Sequence, residues 1–595
     1  MKKDNSPGAT PLANGVAFRV WAPFADRVFV IGDFNQWNSP GILMNREKDG
    51  IWSQLVLHAQ VGHEYRYLID FKGKLLSRND PYARDLTSSV GNSIICSTEY
   101  DWKHQNIQMP TIDELVIYEM HVGTFHDEPG GPPGDFYSAI DKLDHLVELG
   151  VNAVEIMPVM EFAGGFSWGY NPAYIFAVES DYGGPKALKA FIDKAHSLNL
   201  AVILDIVYNH LGPSDLGVWQ FDGWQENNMG GIYFYNDWRS NTPWGDTRPD
   251  YGRPMVQQFF MDNILMWLDE YHVDGFRWDM TAFIRTVHGN DQNPVELLAD
   301  GWKMMQEINN VVREHYPNKV IIAEDLQADA LVTQTTDKGG AGFHAQWCAG
   351  FVHPVRHHLI VPNDNERDMS AIRDAVAFTF NGDAFERIIY TESHDEVANG
   401  KSRLPEEIWP NNADSWFSKK RSMLGAVLVM TAPGIPMLFQ GQEMLMDMWF
   451  TDQCPIDWNY KFNYRGIFEF YKDLIALRRN FKNQTRGLRG ENCNIYHVNE
   501  IDKVLAFHRW HEGGPGDDVV VIINFSNVHI SEYKIGMPQS GEWGIRLNTD
   551  WKKYDFSFST EPGLSVFSDH QAYDQFEDSC VLNLLPYNAL ILSQS

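Results

Sequence analysis

Four acidic segments in this 595-residue chain fall where an enzyme built on a barrel would place reacting groups: Asp205-Ile-Val-Tyr-Asn-His210, Val273-Asp-Gly-Phe-Arg-Trp-Asp279, Ile322-Ala-Glu-Asp325 and Glu392-Ser-His-Asp395. Apolar, β-branched runs lead into them (Ala201 to Leu204, Val320 to Ala323, Ile388 to Thr391), so the carboxylates would stand at the ends of buried strands. Two carboxyl groups facing the anomeric carbon of a sugar can break a glycosidic bond, one as nucleophile and the other first as acid and then as base. Asp279 and Glu324 are the candidates for those roles. Arg277 precedes Asp279 by two residues, so on a strand it points the same way and can hold that carboxylate ionised. Glu324 follows Ile321-Ile-Ala323, and burial beside apolar walls raises a carboxyl pKa as a general acid requires. Asp395, next to His394, would bond sugar hydroxyls and favour a distorted ring carrying oxocarbenium charge. Any one of these acids alone is more often a helix cap or an ion-pair partner, and Asp205 fits that description best. The four together are harder to assign to structure.

The elements that position them can be read from the spacing. Asp205, Asp279, Glu324 and Asp395 lie 74, 45 and 71 residues apart. A (β/α)8 barrel spends roughly 30 residues per strand and helix, so these intervals predict one unit with an inserted loop, one long unit, and two units. From about Leu115 short apolar strands alternate with helical spacing: Val116 to Met120, helix Tyr137 to Leu149, strand Ala153 to Met157, helix Pro185 to Leu198, strand Ala201 to Asp205. That order predicts a parallel α/β barrel. Before it, Val16 to Trp21, Val28 to Ile31, Trp52 to Leu57 and Tyr65 to Ile69 read as strands of an immunoglobulin-like sandwich. After the helix Ile467 to Arg479, strands return at Val504 to His508 and Val519 to Ile523. The expected organisation is an N-terminal β-sandwich over residues 1–108, a TIM barrel over 109–482 with an insert at about 211–255, and a C-terminal all-β domain, a second sandwich, over 483–595.

Composition narrows the partners. With 48 basic and 79 acidic residues the net charge is −31, which disfavours nucleic acid and anionic membranes and favours a neutral or cationic ligand. The five cysteines (Cys96, Cys348, Cys454, Cys493, Cys580) are scattered and odd in number, which fits a reducing compartment. The opening Met1-Lys-Lys-Asp-Asn-Ser-Pro-Gly8 has no apolar core of a leader, and no later run is long enough to span a bilayer, so a cytoplasmic protein, monomer or small homo-oligomer, is expected. The chain carries 20 Trp and 24 Tyr, and flat aromatic faces suit sugar rings. Most are expected in cores, but Trp219, Phe221, Trp224, Tyr233, Phe234, Tyr235, Trp238 and Trp244 lie among Gly, Asn and Asp without clear periodicity, as residues lining a site do.

The four segments resemble the signature regions of glycoside hydrolase family 13, the α-amylase family, in order and spacing; Arg248-Pro-Asp-Tyr251 resembles a fifth, weaker region. The resemblance implies Asp279 as nucleophile, Glu324 as general acid/base and Asp395 as transition-state stabiliser. It also implies that Tyr170, Asp205, His210, Arg277 and His394, with Trp168 in Ser167-Trp-Gly-Tyr170, bind the sugar beside the scissile bond. Phe18-Arg-Val-Trp-Ala-Pro23 and Gly32-Asp-Phe-Asn-Gln-Trp37 resemble a family 48 carbohydrate-binding module, which would either bind glucan through Trp37 or Trp52 or serve only as a packing partner.

Within the family, Glu392-Ser-His-Asp-Glu-Val397 with Gly400-Lys401, Phe439-Gln-Gly-Gln-Glu443 and Val159-Met-Glu161 resemble the 1,4-α-glucan branching enzymes, which transfer a cut chain to a 6-hydroxyl. Val207-Tyr-Asn-His-Leu-Gly-Pro213 departs from that pattern and is similar to maltooligosyltrehalose trehalohydrolases and other hydrolases. Branching of an α-glucan or maltooligosaccharide is the leading expectation, an α-glucan hydrolase the alternative, and an inactive glucan-binding barrel a third. Trp278, unusual before the nucleophile, is expected to face out and pack. No cofactor and no metal are expected: Asn209 matches a calcium-ligating position of some members, but no oxygen-rich loop accompanies it.

Overall fold

The computed structural model describes residues 7–594; the Met1 to Ser6 part of the opening read for a leader lies outside them. Eight parallel strands close into a barrel: β1 (Ile117–Met120), β2 (Ala153–Ile156), β3 (Ala201–Ile206), β4 (Gly275–Trp278), β5 (Val320–Ala323), β6 (Ala345–Trp347), β7 (Arg387–Ile389) and β8 (Ile435–Phe439), with β8 pairing back to β1. The three intervals resolve as predicted. β3 and β4 are consecutive strands separated by a long insert, β4 and β5 are consecutive, and β6 intervenes between β5 and β7.

Register aims the side chains. Paired residues on neighbouring strands face the same way, and Asp205 pairs with Arg277 while Glu119 pairs with Glu155. Those four point into the barrel; Trp278, one step along, points out and packs edge-on to Tyr208 at 5.1 Å and Phe343 at 5.6 Å, as expected. A glycine is required at Gly275, because a Cβ there would lie 2.5 Å from the Val320 carbonyl oxygen across the β4–β5 pair.

The N-terminal unit consists of two antiparallel sheets built around Gly15–Trp21 and Ile51–Val56 on one side and Arg27–Gly32 and Glu64–Phe71 on the other. The C-terminal unit has a six-stranded and a two-stranded antiparallel sheet. One apolar cluster runs from Phe18 through the barrel helices to Ile591, so the three units share a core. No helix among the described residues is long and apolar enough to cross a membrane.

Three expectations need correcting. The predicted helix over Tyr137 to Leu149 is two helices, Phe136–Ile140 and Leu143–Leu149, broken at Asp141-Lys142. A hairpin, Met160–Phe162 with Pro172–Val178, follows β2 and was not anticipated; its loop carries Trp168 and Tyr170. Most aromatics of the insert do not line a site. Phe221, Tyr233, Phe234 and Tyr235 are buried, Trp224 stacks on Phe24 at 4.6 Å, and Arg78 donates to the Phe221 and Gln220 carbonyls. The insert packs against the sandwich, which explains its aromatic content by burial. Trp52 is also core, donating its indole N–H to the Ala22 carbonyl, whereas Trp37 is half exposed and donates to Asp33.

Candidate active site

The carboxyl groups at the strand ends converge on one guanidinium. Arg277, wholly buried on β4, donates from Nη1 to both oxygens of Asp205 at 2.9 and 2.8 Å and to Asp279 Oδ1 at 2.9 Å. Its Nη2 stands 2.7 Å from Glu324 Oε2 but out of hydrogen-bond line, so that contact is charge to charge. The guanidinium lies over the Trp347 ring of β6 at 4.5 Å. Three strands, β3, β4 and β5, therefore bring one cation among three acids, and β6 backs it with Trp347.

The chain around Asp279 is held tightly. Asn209 donates from Nδ2 to Asp279 Oδ2 at 2.6 Å and to its carbonyl at 2.9 Å. Met280 then takes a left-handed φ of 38°, which turns its N–H onto Glu324 Oε2 at 3.0 Å. Thr281 adds two bonds to the Glu324 carbonyl, and Arg285 grips Asp325 through Nε at 2.9 Å and Nη2 at 2.7 Å. The backbones that carry Asp279 and Glu324 are thus tied to each other.

Burial raises the Glu324 carboxyl well above the ordinary carboxylate range; Arg277 opposes this, and the negative charges of Asp279 and Asp395 add to it. Burial likewise pushes Asp205 up to about 7 against the pull of Arg277. Asp395 differs, with about half of its side chain (49%) exposed above the floor and His394 Nε2 3.8 Å away. His394 is buried, which opposes its charge, yet Glu119 and Asp395 win and carry its pKa to about 9, so it is an imidazolium at neutral pH. Its Nδ1 meets Glu119 Oε1 in a short contact, and its backbone N–H donates to Glu119 Oε2 at 3.2 Å.

Aromatic and imidazole rings wall the hollow. Tyr170 stacks on His394 at 5.0 Å and donates its hydroxyl to Asp205 at 2.6 Å; Trp168 meets the same imidazole edge-on at 5.8 Å. Across the site His210, whose pKa burial lowers, contacts the Tyr170 carbonyl through Nε2 at 2.8 Å and carries Trp244 stacked on it at 4.6 Å. Trp244 in turn meets Phe283, four residues past Asp279, at 5.2 Å. Every residue singled out for the site, Tyr170, Trp168, Asp205, His210, Arg277, Asp279, Glu324, His394 and Asp395, sits on this rim or floor, and Trp244 alone of the aromatic run joins it.

Two acids were missed. Glu119 on β1 holds His394, and Glu155 beside it on β2 has no hydrogen-bond partner for either oxygen; burial, then Glu119, pushes its pKa well above the ordinary carboxylate range. Each is a lone acid inside an apolar strand run, and a charge placed there needs a reason, which is the available sequence signal. Asn209, considered from the sequence only as a calcium-ligating position, orients the Asp279 carboxylate.

Known proteins resemble this chain along nearly its whole length. Residues 7–83 match the model of carbohydrate-binding module 48 (isoamylase N-terminal domain), residues 116–219 and 213–464 the α-amylase catalytic domain, and residues 495–595 the α-amylase C-terminal all-β domain. The 1,4-α-glucan branching enzyme GlgB of Salinibacter ruber is 30% identical over 98% of this chain and 96% of its own length. The enzyme of that name from Pseudomonas fluorescens is 31% identical over 97% and 80%. In fold, the chain is similar to a pullulanase from Anoxybacillus sp. LM18-11 solved with maltotetraose (TM-score 0.75, 21% identity, 100% of this chain and 88% of that one) and to a putative α-amylase from Salmonella typhimurium (TM-score 0.74, 21% identity, 99% and 100%). The catalytic-domain match spans more than half of the sequence, and by that match and its near full-length relatives this chain belongs to the α-amylase family, glycoside hydrolase family 13.

Proposed function

We propose that the protein is a 1,4-α-glucan branching enzyme that cuts an α-1,4 bond with retention and transfers the released chain to a 6-hydroxyl. The carrying observation is the Arg277 guanidinium shared by Asp205, Asp279 and Glu324: it hydrogen-bonds the Asp279 carboxylate but only faces Glu324, whose carboxyl pKa burial raises. The names of the near full-length relatives support transfer.

In this reading the Asp279 carboxylate attacks the anomeric carbon as the glycosidic C–O bond breaks, and Glu324 gives its proton to the departing oxygen. The glycosyl ester on Asp279 then breaks as the acceptor's 6-oxygen bonds to the same carbon, and that hydroxyl's proton goes to the Glu324 carboxylate. Asp395, projecting into the hollow, holds the hydroxyls of the distorted ring. The His394 imidazolium and Arg277 keep the floor's acids from adding negative charge unchecked. The aromatic pair Trp244 and Phe283 stands on the flank tied to Glu324, where the leaving chain departs and the acceptor arrives.

Incubation with amylose tests this. New α-1,6 signals in the proton spectrum with few new reducing ends are expected; reducing ends rising without α-1,6 signals would make the protein a hydrolase. We place the domain boundaries near residues 108 and 482, a placement supported by family matches that end at 83, begin at 116, end at 464 and begin at 495. A cytoplasmic location is our reading too, supported by five unpaired thiols.

A further inference from the structure

A crevice of about 800 Å³ opens at the seam between the barrel and the C-terminal sheets, and its lining shares no residue with the catalytic hollow. One wall is the turn Pro362 to Asn365 beyond the barrel helix Ala349–Ile360, with parts of the helices Leu404–Ile408 and Trp416–Thr431; the other is made by C-terminal turns around Asp502, Asn527 and Tyr587. Its size lies in the ~300–1,000 Å³ range of pockets that enclose small ligands.

Three observations narrow the ligand. Trp409 on the crevice wall keeps 44% of its surface exposed and leans on Phe417 at 5.6 Å, so much of its indole is left to solvent. Stacking with the C–H face of a pyranose would cover that surface. Arg421, which lines the same crevice, is buried and donates to the Val361 carbonyl at 2.8 Å and the Ile408 carbonyl at 3.1 Å, while its Nε has no acceptor. That nitrogen is closed off from solvent, so Arg421 braces the crevice by joining Val361 to Ile408 and offers no donor to a ligand. The remaining polar wall is mostly uncharged: Asn365 and Asn527 are exposed amides, and Asp364 is already engaged by Arg367, the Tyr587 hydroxyl and the Asn527 N–H. Lys503 is turned to the Arg367 carbonyl at 2.7 Å. A phosphorylated ligand would find neither lining cation free, since Arg421 and Lys503 are both turned to backbone carbonyls, on a chain of net charge −31. An exposed indole face and uncharged amides fit a neutral sugar.

We infer that this crevice is a second, non-catalytic α-glucan site, in which a maltooligosaccharide segment lies on Trp409 and its hydroxyls meet Asn365, Asn527 and Asp502. The inference rests on the glucan reading of the preceding subsection. A chain long enough to occupy both places is delivered to the catalytic hollow at raised effective concentration, whereas a short one gains nothing.

The test uses the full chain as D279N, which spares the substrate, titrated calorimetrically with maltoheptaose beside D279N/W409A and D279N/N365A/N527A. All three changed residues of the crevice are exposed, so melting temperatures should stay put. Crevice binding is expected to weaken about three- to tenfold with W409A, and in the same direction with the amide pair. In otherwise active enzyme, W409A should raise KM for glycogen by a similar factor and leave kcat/KM for short maltooligosaccharides unchanged. Equal binding in all three chains overturns the inference. So does light scattering that shows W409A breaking a dimer with glucan affinity intact, which would make the crevice a contact between copies. A wild-type chain that never forms α-1,6 linkages, yet loses glucan on W409A, would sink the branching reading and leave the crevice standing.

Discussion

The catalytic hollow and the seam crevice are both walled by aromatics, but they treat charge in opposite ways. The hollow keeps Arg277, Asp205, Glu155, Glu324 and His394 out of water, whereas the crevice presents an exposed indole and exposed amides, its Arg421 turned to backbone carbonyls. Burying ionisable groups is expensive unless they are paired, and the hollow meets that cost with a shared guanidinium and an imidazolium held by Glu119. Such an arrangement is retained where charge develops during a reaction. Holding a sugar needs only a flat face and hydroxyl partners. The two regions therefore separate what glucan chemistry needs from what glucan binding needs.

Substitutions test this contrast. The largest effect is expected for D279N, which should lower kcat on amylose by about 10⁴-fold or more while leaving glucan binding and the melting temperature near wild type. E324Q should cost about 10²–10⁴-fold. Its pH profile is equally diagnostic. Burial keeps Glu324 protonated above the usual carboxylate range, so wild-type kcat should fall as pH rises through that raised pKa, and E324Q should lose the limb.

E119Q probes the charge network itself. Glu119 holds the His394 pKa at about 9, above the usual 6.5, so the stability linked to that proton is fully present below about 6.5 and is lost as pH rises through about 9. Melts from pH 6 to 10 should show that decline in wild type and a flatter curve in E119Q, with kcat at pH 7 lower by on the order of tenfold. A pH-independent wild-type melt would refute the assignment.

W244A should cost about three- to tenfold and, by opening the acceptor flank, raise the ratio of reducing ends to α-1,6 linkages; an unchanged ratio would place the acceptor elsewhere. The smallest expected effect is that of W409A on short maltooligosaccharides, which should be none. A clear loss there would erase the distinction between the two regions.

How much of this was legible depended on the residue. The strand ends at Asp205, Asp279 and Glu324 were readable because each closes an apolar run whose period and length specify a buried parallel strand. Arg277 was readable because residues two apart on a strand face one way. Glu119 and Glu155 were overlooked, since an acid in an apolar run gains meaning only from what lies across the barrel; His394, 275 residues away, decides the role of Glu119. The insert misled for the opposite reason. Its aromatics lack periodicity because they pack on another domain, with Trp224 on Phe24 and Tyr233 on Trp21, and no local pattern records a partner some 200 residues away.

By itself the amino-acid order determined the eight-strand alternation, the flanking β units and the positions of Asp279, Glu324 and Asp395 along the chain, because hydrophobic period and interval are local quantities. Closure of the barrel decided the rest. It brought β1, β3, β4, β5 and β7 to one rim, pressed one guanidinium among three acids, charged His394 and left Glu324 its proton. Those are properties of distance and of water excluded by packed neighbours, which come into being only when segments far apart in the chain meet.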